Sequence, residues 1–141
     1  MMFKNFNKKK ILDFIANFSD IAKKNRWISH YDADDDSMVI RVPQLSMDAR
    51  KHYINNDEFA FYLNAKGEVE GVFIEYFLSN FVAHHKDFKK VGKELKEQKA
   101  KDDEVVVMLN KTEMKKFVPD LQEAIIESIM PTRKLEEMSL R

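Results

Sequence analysis

The spacing of apolar residues changes twice along this chain, from helical to alternating and back to helical. Residues 11–22 carry apolar side chains every three or four positions, as an amphipathic helix does. Within residues 27–77 apolar residues alternate with others, which is typical of half-buried strands. Helical spacing returns after Ser79. The pattern therefore predicts an α+β fold, in which a twisted antiparallel sheet, arranged as a meander, is packed on one face by amphipathic helices.

We place these elements in one domain over residues 1–130. The predicted elements are helices over 8–25 and 79–98, the meander over 27–77, a strand over 105–109 and a helical segment over 112–129. Pro119 is expected to break or kink the last segment, or to begin a second one. Residues 131–141 are predicted to form a polar tail. Phe18 and Phe88 lie on the apolar faces of their helices, so we expect both in the core.

The composition excludes several classes of chemistry. Without cysteine, the chain has no disulfides, thiol nucleophiles or iron–sulfur ligands. Its three glycines are too few for a Gly-rich phosphate loop or a dinucleotide fingerprint. No apolar run approaches the roughly 18 residues that a membrane helix needs, and acidic residues interrupt the apolar segment near the N-terminus. We therefore expect a cytoplasmic protein with no cofactor and no membrane contact.

The segment Asp32–Ser37 begins like the calcium loop of an EF-hand, with Asp at alternate positions. That loop also needs Gly at its sixth position and Glu at its twelfth, where this chain has Ser37 and Pro43. We therefore interpret the segment as a solvated turn in which Asp side chains accept hydrogen bonds from nearby N–H groups. Asp32 and Asp36 remain candidate metal ligands under the alternative hypothesis.

Two adjacent histidines, His84 and His85, are the other candidate metal ligands. Helical metal sites pair residues three or four positions apart, which these are not. His84 lies on the apolar face of the predicted helix, so a core or half-buried structural role is the main interpretation. A metal-dependent hydrolase that uses these histidines and the Asp32–Asp36 turn is the second alternative for function.

Lysines form a stripe on the opposite face of the same predicted helix: Lys86, Lys89, Lys90, Lys93 and Lys96. Such a stripe can contact a nucleic-acid backbone. The stripe contains no Arg or aromatic residue, and Glu94 and Glu97 dilute it. We therefore interpret it as a solvated face, and a nucleic-acid-associated regulator is the first alternative for function.

Parts of the strand region resemble a small prokaryotic family, domain of unknown function family 2283. Tyr31-Asp32 followed by Asp36-Ser37-Met38-Val39-Ile40-Arg41 resembles its opening. Residues 59–75, FAFYLNAKGEVEGVFIE, are similar to its later pattern of strand, polar turn and second strand. The resemblance covers residues 27–77, although residues 43–56 are longer than in the family and suggest a helix around 46–50. It implies a small antiparallel sheet, no established catalytic residue and, for some members, an antitoxin role beside a toxin partner.

Two glycines in this region have structural explanations of their own. Gly67 supplies the positive φ of a short hairpin loop over residues 64–67. Gly71, inside a strand, indicates a bulge or a close approach of backbones. Both residues are therefore expected to specify the fold rather than to take part in chemistry.

The strand over 105–109 leads to the main functional hypothesis. It is a continuous apolar run without Pro or charge, and such a strand aggregates if it is left bare. We predict a buried strand that is paired along both edges, in a sheet that continues across a two-fold axis or into a partner. With no catalytic constellation in the sequence, the leading hypothesis is a non-enzymatic interaction protein, either a homodimer or an antitoxin-like partner of another protein.

Overall fold

The structure is a computed structural model that describes residues 8–53, 59–102 and 106–129. The predicted tail over 131–141 lies outside the described residues. Regular elements follow one another in the order α1 (Lys8–Lys24), β1 (Ile28–Asp32), β2 (Ser37–Arg41), β3 (Arg50–Tyr53), β4 (Phe59–Leu63), β5 (Val69–Ile74), a π-helical turn (Phe77–Phe81), α2 (Val82–His84), a 3-10 turn (Lys86–Phe88), α3 (Lys89–Asp102), β6 (Val106–Met108) and α4 (Lys111–Ile129). None of the helices in these ranges has the length and apolarity to span a membrane.

The six strands form one antiparallel sheet in the order β3-β4-β5-β2-β1-β6. The predicted α+β class and antiparallel sheet are therefore confirmed. The strand order follows the chain within the β1–β2 hairpin and within β3-β4-β5. Between these units the chain crosses from β2 to the far edge, so that β5 rather than β3 pairs with β2. A meander in simple chain order is thus confined to β3-β4-β5.

The helices pack on one face of this sheet, as predicted. Alternate strand residues such as Phe59, Phe61 and Leu63 point into the main core, which also contains the apolar faces of α1 and α4. The two helices are joined by Gln122 of α4. Its side-chain nitrogen donates to the Ala16 carbonyl, and its oxygen accepts from the Ser19 N–H, each at 3.0 Å.

Aromatic rings fill this core. Phe18, which is 0% exposed, lies with Phe14 and Trp27 between α1 and the sheet. Phe88, which is 2% exposed, contacts Phe81 and Phe117 with ring centroids 4.9 and 5.6 Å apart. The core positions predicted for Phe18 and Phe88 are confirmed.

The prediction of one continuous helix over 79–98 is wrong. A π-helical turn begins after Tyr76, whose φ is 51°, and His85 interrupts the helical backbone with an extended conformation, φ −129° and ψ 97°. The regular helix α3 starts only at Lys89. The β1–β2 turn caps the start of the π-helical turn, because the N–H groups of residues 77–79 donate hydrogen bonds to Asp36.

Residues 46–50 are not helical, and β3 was not predicted. A turn over 47–48 leads into β3 at Arg50. The Glu70 carboxylate holds the entry to this strand by accepting hydrogen bonds from the N–H and the hydroxyl of Ser46. The sequence of β3, Arg-Lys-His-Tyr, lacks the apolar alternation that identified the other strands. In the structure no residue of β3 is fully buried.

Both glycine predictions are confirmed. Gly67 closes the β4–β5 loop with a φ of 80°. A Cβ atom at Gly71 would lie 2.9 Å from the Cβ of Arg41 on the neighbouring strand. The register between β4 and β5 also shifts beside it, because Tyr62 pairs with Gly71 and Leu63 with Val69. Gly71 thus has the close approach and the bulge together.

The segment predicted over 112–129 is one helix, α4, and Pro119 lies inside it. The predicted break at Pro119 and the alternative of a second segment that begins there are therefore both wrong. A proline in a helix removes one backbone hydrogen bond, and burial of Phe117, Val118 and Leu121 on either side of it offsets that loss. Asn110 and Glu113 cap the start reciprocally, each accepting the other's backbone N–H at 2.8 Å.

Replacement of Phe88 tests this packing. We expect Phe88→Ala to lower the free energy of unfolding by about 3–5 kcal/mol, because it leaves a cavity among buried rings. Urea denaturation followed by circular dichroism measures the loss. Met47→Ala is the matched control, since Met47 is 98% exposed, and it should leave the stability unchanged. Wild-type stability in Phe88→Ala would contradict the placement of residues 86–88 against the core.

Candidate functional site

The Asp32–Asp36 turn separates into two parts with different roles. Asp32 accepts a hydrogen bond from the Asp34 N–H at 3.0 Å, which is the local capping that was predicted. Asp36, in contrast, points to a distant segment. Its carboxylate accepts hydrogen bonds from the Tyr31 hydroxyl at 2.7 Å, the Leu78 N–H at 2.8 Å and both the N–H and hydroxyl of Ser79. The interpretation of Asp36 as part of a solvated turn is therefore wrong.

These contacts set the ionisation of the Asp36 side chain. Burial raises the pKa of Asp36, but the hydrogen bonds from Ser79, Tyr31 and Leu78 together outweigh burial and lower this pKa below its usual value. Burial raises the pKa of the Tyr31 hydroxyl, and its hydrogen bond to Asp36 raises it further. At neutral pH the pair is a carboxylate and a neutral phenol, an arrangement that positions the backbone and leaves few acceptor sites on Asp36 for a cation.

The histidines do not join these aspartates. His84 is exposed rather than half-buried, and its Nδ1 lies 2.8 Å from the Asn80 carbonyl oxygen. His85 stacks on Phe81 with ring centroids 4.1 Å apart. The predicted burial of His84 is wrong, because His84 lies in the three-residue helix α2, none of whose residues is buried. Among the residues that the structure describes, no three His, Cys, Asp or Glu side chains are placed to hold a metal ion together.

The five lysines of the stripe are all exposed, as a solvated face requires. They do not lie on one helix, because Lys86 belongs to the 3-10 turn before α3. The stripe is thus divided between two elements, because the helix that was expected to carry all five lysines begins only after Lys86. Glu94 and Glu97 lie on α3 among the remaining lysines.

The face of the sheet opposite the helices is covered by its own long side chains. Val39, Ala60 and Phe73 form a second, small apolar cluster there and are at most 9% exposed. The Nζ atom of Lys51 lies 3.7 Å from the centroid of the Phe73 ring, and Tyr62 packs against the same cluster. This face therefore presents no wide apolar patch within the described part of the chain.

The outer edge of β6 is different. Val106 and Met108 are 44% and 50% exposed, whereas Val107 between them is 1% exposed. The strand pairs with β1 on one side only, and no described element pairs with its other side. The prediction of a buried strand is wrong for two of its three residues, and pairing along both edges is not met within a single chain. An apolar run does not distinguish a central strand from an edge strand, so the sequence did not locate this edge.

The backbone of β6 alternates in the same way as its side chains. The N–H of Leu109 donates to the carbonyl oxygen of Ser29 on the β1 side at 3.0 Å. In an antiparallel pair, residues two apart direct their backbone groups to the same side. The N–H and C=O groups of Val107 therefore face β1, whereas those of Val106 and Met108 face away from the sheet.

On β1, His30 lies opposite Met108 and Asp32 opposite Val106. Burial lowers the pKa of His30, and the nearby Arg41 guanidinium lowers it further. Arg41 Nε donates to His30 Nε2 at 3.3 Å, which is consistent with a neutral imidazole. The apolar edge of β6 is therefore next to an uncharged histidine at neutral pH.

No protein-family model, curated protein or solved structure that was compared with this sequence matches it. The resemblance of residues 27–77 to domain of unknown function family 2283 therefore stays a hypothesis.

The Asp36 contacts generate a pH-dependent prediction. Because the pKa of Asp36 is lower in the folded state, its charged form stabilises the fold above the ordinary pKa of about 4. That contribution is lost as the pH falls through the folded-state pKa. We expect Asp36→Asn, which keeps the side-chain size and tolerates the φ of 52°, to cost about 1–2 kcal/mol at pH 7, since the carboxylate is partly exposed.

Urea unfolding of both proteins between pH 7 and pH 3 measures this difference, which should shrink toward pH 3. Asp34→Asn is the matched control, because it removes the same charge from an exposed position of the same turn. It should not reproduce the pH dependence. An Asp36→Asn variant that remains equally destabilised at pH 3 and pH 7 would show that the charge of Asp36 is not what stabilises the turn.

Calcium provides a second test of this turn. Since hydrogen-bond donors of the protein already occupy the Asp36 carboxylate, we expect micromolar calcium to leave the Tm unchanged in a thermal melt. A rise of several degrees would show that the three alternate aspartates form an oxygen cage after all.

Proposed function

We propose that this protein is a non-enzymatic interaction protein that binds an extended segment of a protein partner along the outer edge of β6. The observation that carries the proposal is the pair Val106 and Met108, whose side chains are half-exposed and whose backbone groups face away from the sheet. Strand addition at a sheet edge is an established mode of recognition. Backbone hydrogen bonds supply its affinity, and alternate side chains supply its specificity.

A comparison of the two edges of the same sheet supports this choice. The other edge strand, β3, consists of Arg50, Lys51, His52 and Tyr53. Charged and polar residues of this kind protect an edge against pairing with another chain. The β6 edge consists of Val106, Val107 and Met108, without charge or proline. The β3 edge therefore has charged residues that discourage pairing, whereas the β6 edge has none and is protected only by its length of three residues.

The alternatives for function have less support. The lysine stripe is divided between two elements, and the four candidate metal ligands have separate structural contacts or exposed positions. The homodimeric and antitoxin-like hypotheses both need a surface that accepts protein, which the β6 edge can supply. Antitoxin-like binding, which the family resemblance implies, remains part of this proposal as one kind of partner.

A synthetic peptide tests strand addition directly. The probe is residues 105–111, Val-Val-Val-Met-Leu-Asn-Lys, with one additional lysine at its N-terminus for solubility. We expect saturable binding, measured by isothermal titration calorimetry, and slower amide hydrogen exchange at Val106 and Met108 of the protein. Exchange at the β3 edge serves as the internal control and should not change.

Two sets of controls separate strand addition from nonspecific apolar binding. Methylating alternate amide nitrogens of the peptide should abolish binding for one set and leave it for the other, because only one set faces the protein. Val106→Lys in the protein should weaken binding by about tenfold, which corresponds to about 1.4 kcal/mol, whereas Met47→Lys should not. Equal binding of both methylated peptides would contradict the proposed function.

A further inference from the structure

We infer that the partner strand at this edge is the β6 strand of a second copy of this chain, antiparallel to the first and related to it by a two-fold axis at Val107. The inference rests on the proposed function and names its partner. The two sheets would then form one continuous sheet of twelve strands, twice the six of each copy. Isologous contacts of this kind are the commonest arrangement in homodimers.

Backbone geometry selects this axis. The outward-facing groups belong to Val106 and Met108, which are placed symmetrically about Val107. With the two-fold axis at Val107, Val106 of each copy pairs with Met108 of the other, and each pair exchanges two hydrogen bonds. With the axis at Val106, Val106 would pair with Val106 of the other copy, and Met108 would have no partner within β6. An axis at Met108 would leave Val106 without a partner in the same way. Only the axis at Val107 uses all the outward-facing groups of β6.

The side chains are self-complementary in the same register. On the face opposite the helices, the half-exposed Val106 of each copy would lie beside the half-exposed Met108 of the other. On the helical face, Val107 is 1% exposed and stays in the core of its own copy, so Val106 and Met108 supply the side-chain contact. Each contact thus joins apolar groups, and no charged side chain of β6 would lose water.

Charge favours the antiparallel arrangement. In the sequence, Asp-Asp-Glu at 102–104 precedes β6 and Lys111 follows it. This order of charge in the sequence is complementary to itself when two copies run antiparallel, whereas it repels itself when they run parallel. The whole chain has zero net charge, so two copies have little long-range repulsion to overcome.

The extent of the contact limits its strength. Three residues from each chain bury less than the roughly 1,200 Å² typical of stable interfaces. We therefore expect a dimer that dissociates on dilution rather than a permanent one. Light scattering should show the apparent mass rising from 16.7 kDa toward twice that value as the concentration increases through the micromolar range.

Disulfide trapping tests the register, because the chain has no cysteine of its own. Val106→Cys and Met108→Cys change exposed side chains and are made as separate proteins. In the proposed dimer the Cα atoms of residues 106 and 108 from different copies lie about 5.5 Å apart, which a disulfide can span. The Cα atoms of residue 106 in the two copies, and likewise those of residue 108, would lie about 8–9 Å apart. That distance is too long for a disulfide.

We expect a mixture of the two variants, oxidised with copper phenanthroline, to cross-link at least about tenfold faster than either variant alone. Met47→Cys measures random collisions, since Met47 is 98% exposed and lies outside the strands. Circular dichroism and melting curves establish that each variant is folded. Equal rates for the mixture and the single variants would overturn the two-fold axis at Val107.

The outcomes also distinguish this inference from the proposed function. A wild-type protein that stays monomeric at high micromolar concentration overturns self-pairing, and if the peptide of residues 105–111 still binds, the proposed function survives with a different partner. If neither the peptide nor a second copy occupies the edge, both proposals are wrong. A concentration-dependent dimer with preferential 106–108 cross-linking supports both.

Discussion

The carboxylate of Asp36 is the contact on which the arrangement of this fold depends. It lies in the β1–β2 turn and accepts hydrogen bonds from Leu78 and Ser79, residues 42 and 43 positions away in the chain. The Asp36 carbonyl also accepts from the Phe77 N–H at 2.7 Å. Because these bonds fix the chain where it leaves β5, they place Phe77 and Phe81 in the core, where each is 0% exposed. The left-handed backbone at Asp36 and Tyr76 is compatible with this close junction.

The junction explains why the two faces of the sheet differ. It directs the chain after β5 onto the helical side, where Phe81, Phe88 and Phe117 pack together. The opposite face is covered by residues of the sheet itself, with Lys51 over Phe73. A second layer of helices is therefore not needed to keep that small apolar cluster from water. What remains exposed among the described strands is concentrated at the edges, and the β6 edge is the apolar one.

The sequence predicts local features of this fold better than distant contacts. Features that depend on neighbouring residues were predicted correctly. They are the apolar spacing of α1, β2, β4 and β5, the turn at Gly67 and the close approach at Gly71. The break at His85 was not, because the apolar spacing of the sequence continues across it from Phe81 to Phe88. β3 was missed since an edge strand with polar residues lacks apolar alternation. The free edge of β6 could not be located, because strand order depends on pairing between distant segments.

The candidate edge and the Asp36 junction are not independent. Tyr31 donates its hydroxyl hydrogen bond to Asp36, and the same residue is the register partner of Val107 on β6. The Tyr31 ring also contacts Phe77, with centroids 6.0 Å apart. The outward direction of the Val106 and Met108 backbone groups is set by the register of β6 on β1, and that register is held at Tyr31 by the core below it. A change that loosens the Asp36 junction should therefore also disorder the edge on which a partner strand depends, whereas a change at the edge, where the side chains face water, should leave the junction intact.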